Sequence, residues 1–229
     1  MDEIKNTIIK CEANSILKAI GNNINLMVHN DTEQIHWILF VYQKCGMNVL
    51  HQMADFLQKR IDDFFVAPEG EKISLIWYLY SIKEIELLKY FISLGANITL
   101  DEGLSLLHWL SADNQKELLE TANLNKIDLD KRDTSGDMPD RTALHWAAQE
   151  GAIDSARILL SNHADIEAKD IDGKTPLHQA VTEDDKDMVK LLLKNGANKN
   201  VRDLSGYYPY DYARKFYPED KEMAQLIEV

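Results

Sequence analysis

The sequence predicts an all-α solenoid, built from stacked helix-loop-helix units with β-hairpin-like fingers and preceded by an N-terminal helical cap. Three observations carry that prediction. The segment Arg141-Thr-Ala-Leu-His-Trp-Ala-Ala148 returns as Lys174-Thr-Pro-Leu-His-Gln-Ala-Val181, with its threonines 33 residues apart. Each copy is followed by an apolar stretch, Ile158 to Leu160 or Leu191 to Leu193, and then by a turn signal, His163-Ala-Asp165 or Gly196-Ala-Asn198. A unit this short cannot bury its own apolar face, so the core must form between stacked neighbours.

In chain order, residues 1–32 form the cap, with Ile4, Ile8, Ile16, Leu17 and Ile20 as its apolar side. The array follows over 33–229, in units near 33–68, 69–99, 100–132, 133–169, 170–202 and 203–229. The first unit is set on Glu33-Gln-Ile-His-Trp37, which leaves 41 residues before the next copy and makes Asn48 to Arg60 an outer helix. The competing register, on Asn48-Val-Leu-His51, leaves only 26, too few for a complete unit. Ser74-Leu-Ile-Trp-Tyr78 and Ser105-Leu-Leu-His-Trp109 open the second and third units. In the two strong copies Thr142 and Thr175 are placed as helix N-caps, and Pro176 fits a first helical turn. Ile153, Ala156, Leu159 and Leu160 then fall on one helical face. Asp170-Ile-Asp-Gly173 supplies a tight turn, and Gly196 ends its helix. The degenerate copy Tyr208-Pro-Tyr-Asp-Tyr-Ala213 opens a last unit, whose final helix, 219–229, buries Met223, Leu226 and Ile227.

The period and the Thr-Pro-Leu-His-x-Ala motif resemble the ankyrin repeat, over roughly 33–229 and most specifically over 140–202. The resemblance implies a non-enzymatic module that binds a protein partner through finger tips and inner helices. It also implies a structural role for His36, His108, His145 and His178, each bonded to the backbone of a neighbouring finger. Trp109 and Trp146 in consecutive units are similar to the ankyrin domains of certain histone methyltransferases, which cage methylated lysine between tryptophans. Leu104 and Ala112 depart from that pattern, standing where those domains have a further Trp and a Glu. One finger departs from the regular spacing. Gly136 precedes Thr142 by six residues, whereas Gly173 precedes Thr175 by two, so Asp137-Met-Pro-Asp140 is an insertion of four. Such insertions map to loops on one face, often the binding face, or are neutral extensions.

Composition narrows the function classes. The 229 residues carry a formal charge of −13 and a pI near 4.9, which argues against binding nucleic acid or anionic lipid through phosphate neutralisation. Two cysteines, Cys11 and Cys45, are too few to staple a chain of this length, which excludes a disulfide scaffold and points to a reducing, cytoplasmic setting. The N-terminal residues lack the basic region and unbroken apolar stretch of a secretory signal, and the most apolar run, Ile35 to Tyr42, is too short to span a bilayer. A soluble monomer is expected. No zinc-ligand spacing, phosphate loop or nucleophile motif occurs, so no cofactor, metal or catalytic residue is assigned. Glu183-Asp184-Asp185 reads as a solvated loop. An enzyme hidden in residues 1–73, with a pocket around His29, His51 or Cys45, is the weakest alternative.

The position after the motif histidine holds Trp37, Tyr78, Trp109, Trp146, Gln179 and Tyr212 in successive units. Four residues on, and so on the same helical face, stand Val41, Ile82, Asp113, Glu150, Glu183 and Phe216. The inner helices thus present an aromatic floor of Tyr78, Trp109 and Trp146 beside Asp113, Glu150 and Glu183, with Asp137 and Asp140 on the enlarged finger. That combination suits a basic partner through cation–π attraction and charge pairing. The alternative is that the aromatics only pack between repeats. Residues 101–170 concentrate the charge, with 15 acidic against 7 basic side chains. The acidic C-terminus, Glu219 to Val229, also resembles the tails of some type IV secretion substrates, which would make the chain a bacterial effector acting in host cytoplasm.

Overall fold

The structure, a computed structural model, describes residues 8, 10–20, 27–29, 34–59, 64–66, 72–99, 103–134 and 140–228. It divides into two compact units, residues 1–97 and 98–229.

The first unit runs α1 (Ala13–Ile20), β1 (Met27–His29), β2 (Gln34–His36), α2 (Trp37–Cys45), α3 (Met47–Gln52), α4 (Ala54–Gln58), β3 (Phe64–Val66), β4 (Lys72–Ser74), α5 (Leu75–Ser81) and α6 (Ile85–Ser93). The fingers here are true antiparallel hairpins, with Val28 opposite Ile35 and Phe65 opposite Ile73. The first hairpin straddles residue 32, so the expected cap and the first repeat share a finger. Ile8 and Ile16 of the cap are fully buried; Ile4 lies outside the described residues. Ser74 caps α5 as the motif predicts, accepting from the Trp77 N–H at 3.2 Å.

Three expectations for this unit need correction. The pairing of Met27 with His36 keeps His36 in the finger, so α2 begins at Trp37 rather than three residues earlier. Trp37 therefore matches Leu75 at the helix start, and Phe40 takes the aromatic position; both are fully buried core. The outer helix expected over 48–60 is broken at Met53 (φ −98°, ψ 6°), although Leu50, Met53 and Leu57 all still reach the core. Finally, Cys11 and Cys45 are joined by a disulfide, with Cα atoms 5.3 Å apart. One bridge is no scaffold, but it removes the cysteine count as support for a reducing compartment. It also ties up Cys45, and the polar depression beside α1, lined by Cys11, Glu12, Ser15 and Gln52, includes neither His51 nor Cys45.

The second unit holds α7 (Leu106–Ala112), α8 (Lys116–Thr121), a 3₁₀ turn (Leu124–Lys126), α9 (Ala143–Gln149), α10 (Ile153–Ser161), α11 (Pro176–Thr182), α12 (Lys186–Lys194), α13 (Pro209–Phe216) and α14 (Lys221–Ile227). Inner helices α7, α9, α11 and α13 pack in sequence, and outer helices α8, α10, α12 and α14 form the second layer. Alternating helix pairs therefore bury small and branched residues between them, among them Leu107, Leu110, Ala147, Ala156, Leu159, Ala180, Val189 and Leu192. Adjacent repeats are also joined by polar bonds, such as the Ser155 N–H to Asn114 Oδ1 at 3.0 Å. The tight turn at Asp170 closes through Gly173, whose φ of 77° suits glycine and where any added Cβ would meet Leu204 at 3.0 Å. At the C-terminal end Met223 and Ile227 are fully buried, while Leu226 is half-buried. Lys186 reaches Asp220 at 2.6 Å and Lys190 reaches Glu222 at 2.9 Å, fastening α14 to α12.

Candidate partner-binding face of the second unit

Each inner helix is started by the same device. Ser105, Thr142 and Thr175 cap α7, α9 and α11, and the histidine at the third helical position accepts the cap residue's N–H at Nδ1 (3.1, 3.2 and 3.1 Å). That bond sets the tautomer, so Nε2 carries the proton and donates to a finger carbonyl: Lys131 for His108, Lys174 for His145 and Tyr207 for His178. Burial pushes all three imidazoles below the usual histidine range, His145 to about 4. These are structural histidines, as the motif implies. In the degenerate copy Asp211 takes the histidine's place, accepting the Tyr208 N–H at 2.8 Å. The side chain of His36 is not described.

At the base of the fingers that precede α9, α11 and α13 lie buried aspartates, Asp133, Asp170 and Asp203. Asp133 accepts the Arg141 N–H at Oδ1 (3.0 Å) and the Trp146 indole N–H at Oδ2 (2.8 Å). Asp203 accepts the Ser205 and Tyr207 N–H groups at Oδ1 (both 2.9 Å) and the Tyr212 hydroxyl at Oδ2 (2.5 Å). Burial opposes ionisation of Asp203, yet these bonds hold its carboxyl below the usual range; burial and the Asp203 bond push the Tyr212 phenol up. Trp146 and Tyr212 are thus also hydrogen-bond donors to the fold. Asp133 is a site residue that the motif alone does not reveal. The matching aspartate and aromatic of the last unit, nine residues apart, are the signal that could have found it.

Between α7 and α9 opens a cleft of about 230 Å³, lined by Leu104, His108, Trp109, Ala112, Asp113, Trp146 and Glu150. Four of the expected site residues, Trp109, Asp113, Trp146 and Glu150, therefore come together. Trp109 is 40% exposed on one wall, whereas Trp146 is half-buried, anchored by Asp133 and overlain by the Arg141 guanidinium at 5.3 Å from its ring. Glu150, at the rim, accepts the Gln149 amide at 2.8 Å. Leu104 and Ala112 complete the lining with apolar surface. Glu183 is exposed one repeat further on, where it accepts the Gln179 amide at 3.1 Å. Tyr78 occupies the equivalent helical position in the first unit, half-buried. Asp140 is exposed in the finger, its N–H bonded to Asp133 O and its carbonyl to Arg132. Asp137 lies outside the described residues.

A family model described as ankyrin repeats in three copies matches residues 75–170 and 139–203. More than half of the chain is covered, and the chain belongs to the ankyrin-repeat family. No curated protein matches it. Ankyrin repeats are generic protein–protein interaction modules, so a protein partner follows from the family. Among the described residues, no helix is long and apolar enough to cross a membrane, and no group of three or more His, Cys, Asp or Glu is placed to hold a metal ion.

Proposed function

We propose that the second unit binds a basic protein segment along its inner helices, with a lysine or arginine side chain entering the cleft between Trp109 and Trp146. The observation that carries this reading is the cleft itself: two indoles, apolar flanks from Leu104 and Ala112, and the exposed Asp113 and Glu150 side chains in the same lining. The indole faces attract a cation through their quadrupoles, and the carboxylates accept its N–H groups. A fully methylated ammonium has no N–H to give them, which favours lysine or arginine over a methylated lysine. The charge of residues 101–170, with 15 acidic against 7 basic side chains, steers such a partner to this region. The C-terminal helix is accounted for by its packing, with Met223 and Ile227 buried, which supports a capping role rather than an export signal.

The test is binding to an array of peptides that varies lysine, arginine, methylated lysine and glutamate at a fixed central position. Wild-type protein is expected to select lysine or arginine, and Trp109→Ala to lose that selection while melting as wild type does. Equal retention of acidic and basic peptides contradicts the proposal.

A further inference from the structure

The three finger-base aspartates of the second unit are not equivalent. Asp133 and Asp203 each receive a side-chain donor at Oδ2 from the inner helix, Trp146 and Tyr212 respectively. Asp170 is 5% exposed and its Oδ1 accepts the Asp172 and Lys174 N–H groups at 3.0 and 2.9 Å, but among the described residues its Oδ2 has no hydrogen-bond partner. The corresponding inner-helix residue is Gln179, nine residues on, the same spacing that joins Asp203 to Tyr212. Its amide is not turned to the aspartate. It donates instead to Glu183, whose side chain is exposed. A buried acceptor without a donor is costly, while an exposed glutamate loses little by exchanging an amide for another donor.

We infer that Glu183, Gln179 and Asp170 form a second cation-binding step, in which a partner's lysine or arginine takes Glu183 and the released Gln179 amide turns to Asp170. Reach is sufficient. The amide nitrogen of glutamine lies three bonds beyond Cβ, as does the indole nitrogen of tryptophan, and Trp146 bonds Asp133 from the equivalent helical position. Glu183 occupies in its repeat the position that Glu150 occupies at the rim of the tryptophan cleft. Neighbouring inner helices lie roughly 8–10 Å apart. An extended partner with two cations four residues apart, on one side of its chain and roughly 13 Å from each other, would therefore meet both the cleft and the step one and a half helix spacings away. This inference rests on the proposed function, because it requires a basic partner on the same face. It deepens that reading by making the buried aspartate part of the binding energy: the donor that Asp170 lacks in the free protein is supplied when the partner arrives.

The experiment is a titration of the isotope-labelled full chain with N-acetylarginine N-methylamide, followed by NMR, with the uncharged citrulline analogue as control. The Gln179 side-chain amide, the Asp170 carboxyl carbon and the Trp109 indole N–H are all expected to shift with the arginine compound and not with citrulline. In Glu183→Gln the Gln179 and Asp170 shifts are expected to vanish while the Trp109 shift remains. If Trp109 shifts and Gln179 and Asp170 do not, the second step is overturned and the tryptophan cleft stands. If nothing shifts, both fail. Equal shifts from citrulline overturn the charge-driven exchange.

Discussion

Trp146 and Trp109 line the same cleft, yet the structure predicts opposite results for removing their indole N–H groups. Trp146→Phe keeps an aromatic ring under the Arg141 guanidinium but takes the donor from Asp133 Oδ2. Asp133 is 0% exposed, so water cannot replace that donor without opening the finger. An orphaned buried acceptor costs about 1–3 kcal/mol, towards the upper end when it is charged. At roughly 2–4 °C per kcal/mol for a chain of this size, the melting midpoint should fall by several degrees. Trp109→Phe, at a site 40% exposed, should stay within about 0.5 kcal/mol of wild type. Urea and thermal unfolding of the two variants in parallel give the comparison. Equal losses, or a larger one for Trp109→Phe, would refute the anchoring role of Asp133 and return both tryptophans to simple packing.

Three further outcomes follow from particular contacts. Breaking the Cys11–Cys45 bridge, by reductant or by Cys11→Ser with Cys45→Ser, reopens a loop of 34 residues and should cost about 3–4 kcal/mol by chain entropy; unchanged melting with and without reductant would contradict the bridge. Deleting the last ten residues removes the buried Met223 and Ile227 together with the Asp220 and Glu222 partners of α12, so thermal unfolding should move down clearly; an unchanged melt would favour an appended signal over a cap. The motif histidines are held neutral by burial, so the unfolded chain takes up their protons first on acidification. For His145, stability is complete above its unfolded value near 6.5 and is lost as pH falls towards about 4, by about 3 kcal/mol in all. Asp170, raised by burial, opposes this only at the acid end. Denaturation curves that show no weakening between neutral pH and about 4 would contradict buried neutral histidines.

Legibility from sequence followed the strength of the local signal. The caps at Ser74, Ser105, Thr142 and Thr175 were readable because capping needs a particular side chain at one position, and the helices that follow begin where the motif places them. The register at Trp37 was not, because no Ser or Thr stands at the cap there and the strand pairing of Gln34 to His36 decides where the helix starts. The cysteine pair was invisible because two residues 34 apart in sequence carry no spacing rule, and their approach to 5.3 Å between Cα atoms is a property of the folded first unit. In the site, helical periodicity sufficed to join Trp109 to Asp113 and Trp146 to Glu150. It could not separate an exposed indole from an anchored one, since that depends on Asp133 in the preceding finger, 13 residues away in a sequence that carries the four-residue insertion.

The proposed binding face is tested most directly by calorimetric titration of the tightest basic peptide from the array into wild-type protein and Trp109→Ala, at low and at physiological salt. Wild type should bind more weakly as salt rises. Loss of one cation–π wall should weaken binding by about tenfold at either salt, while the melting midpoint is unchanged. Equal affinity of the two proteins, or an affinity indifferent to salt, would show that the cleft between Trp109 and Trp146 is not where the partner's cation sits.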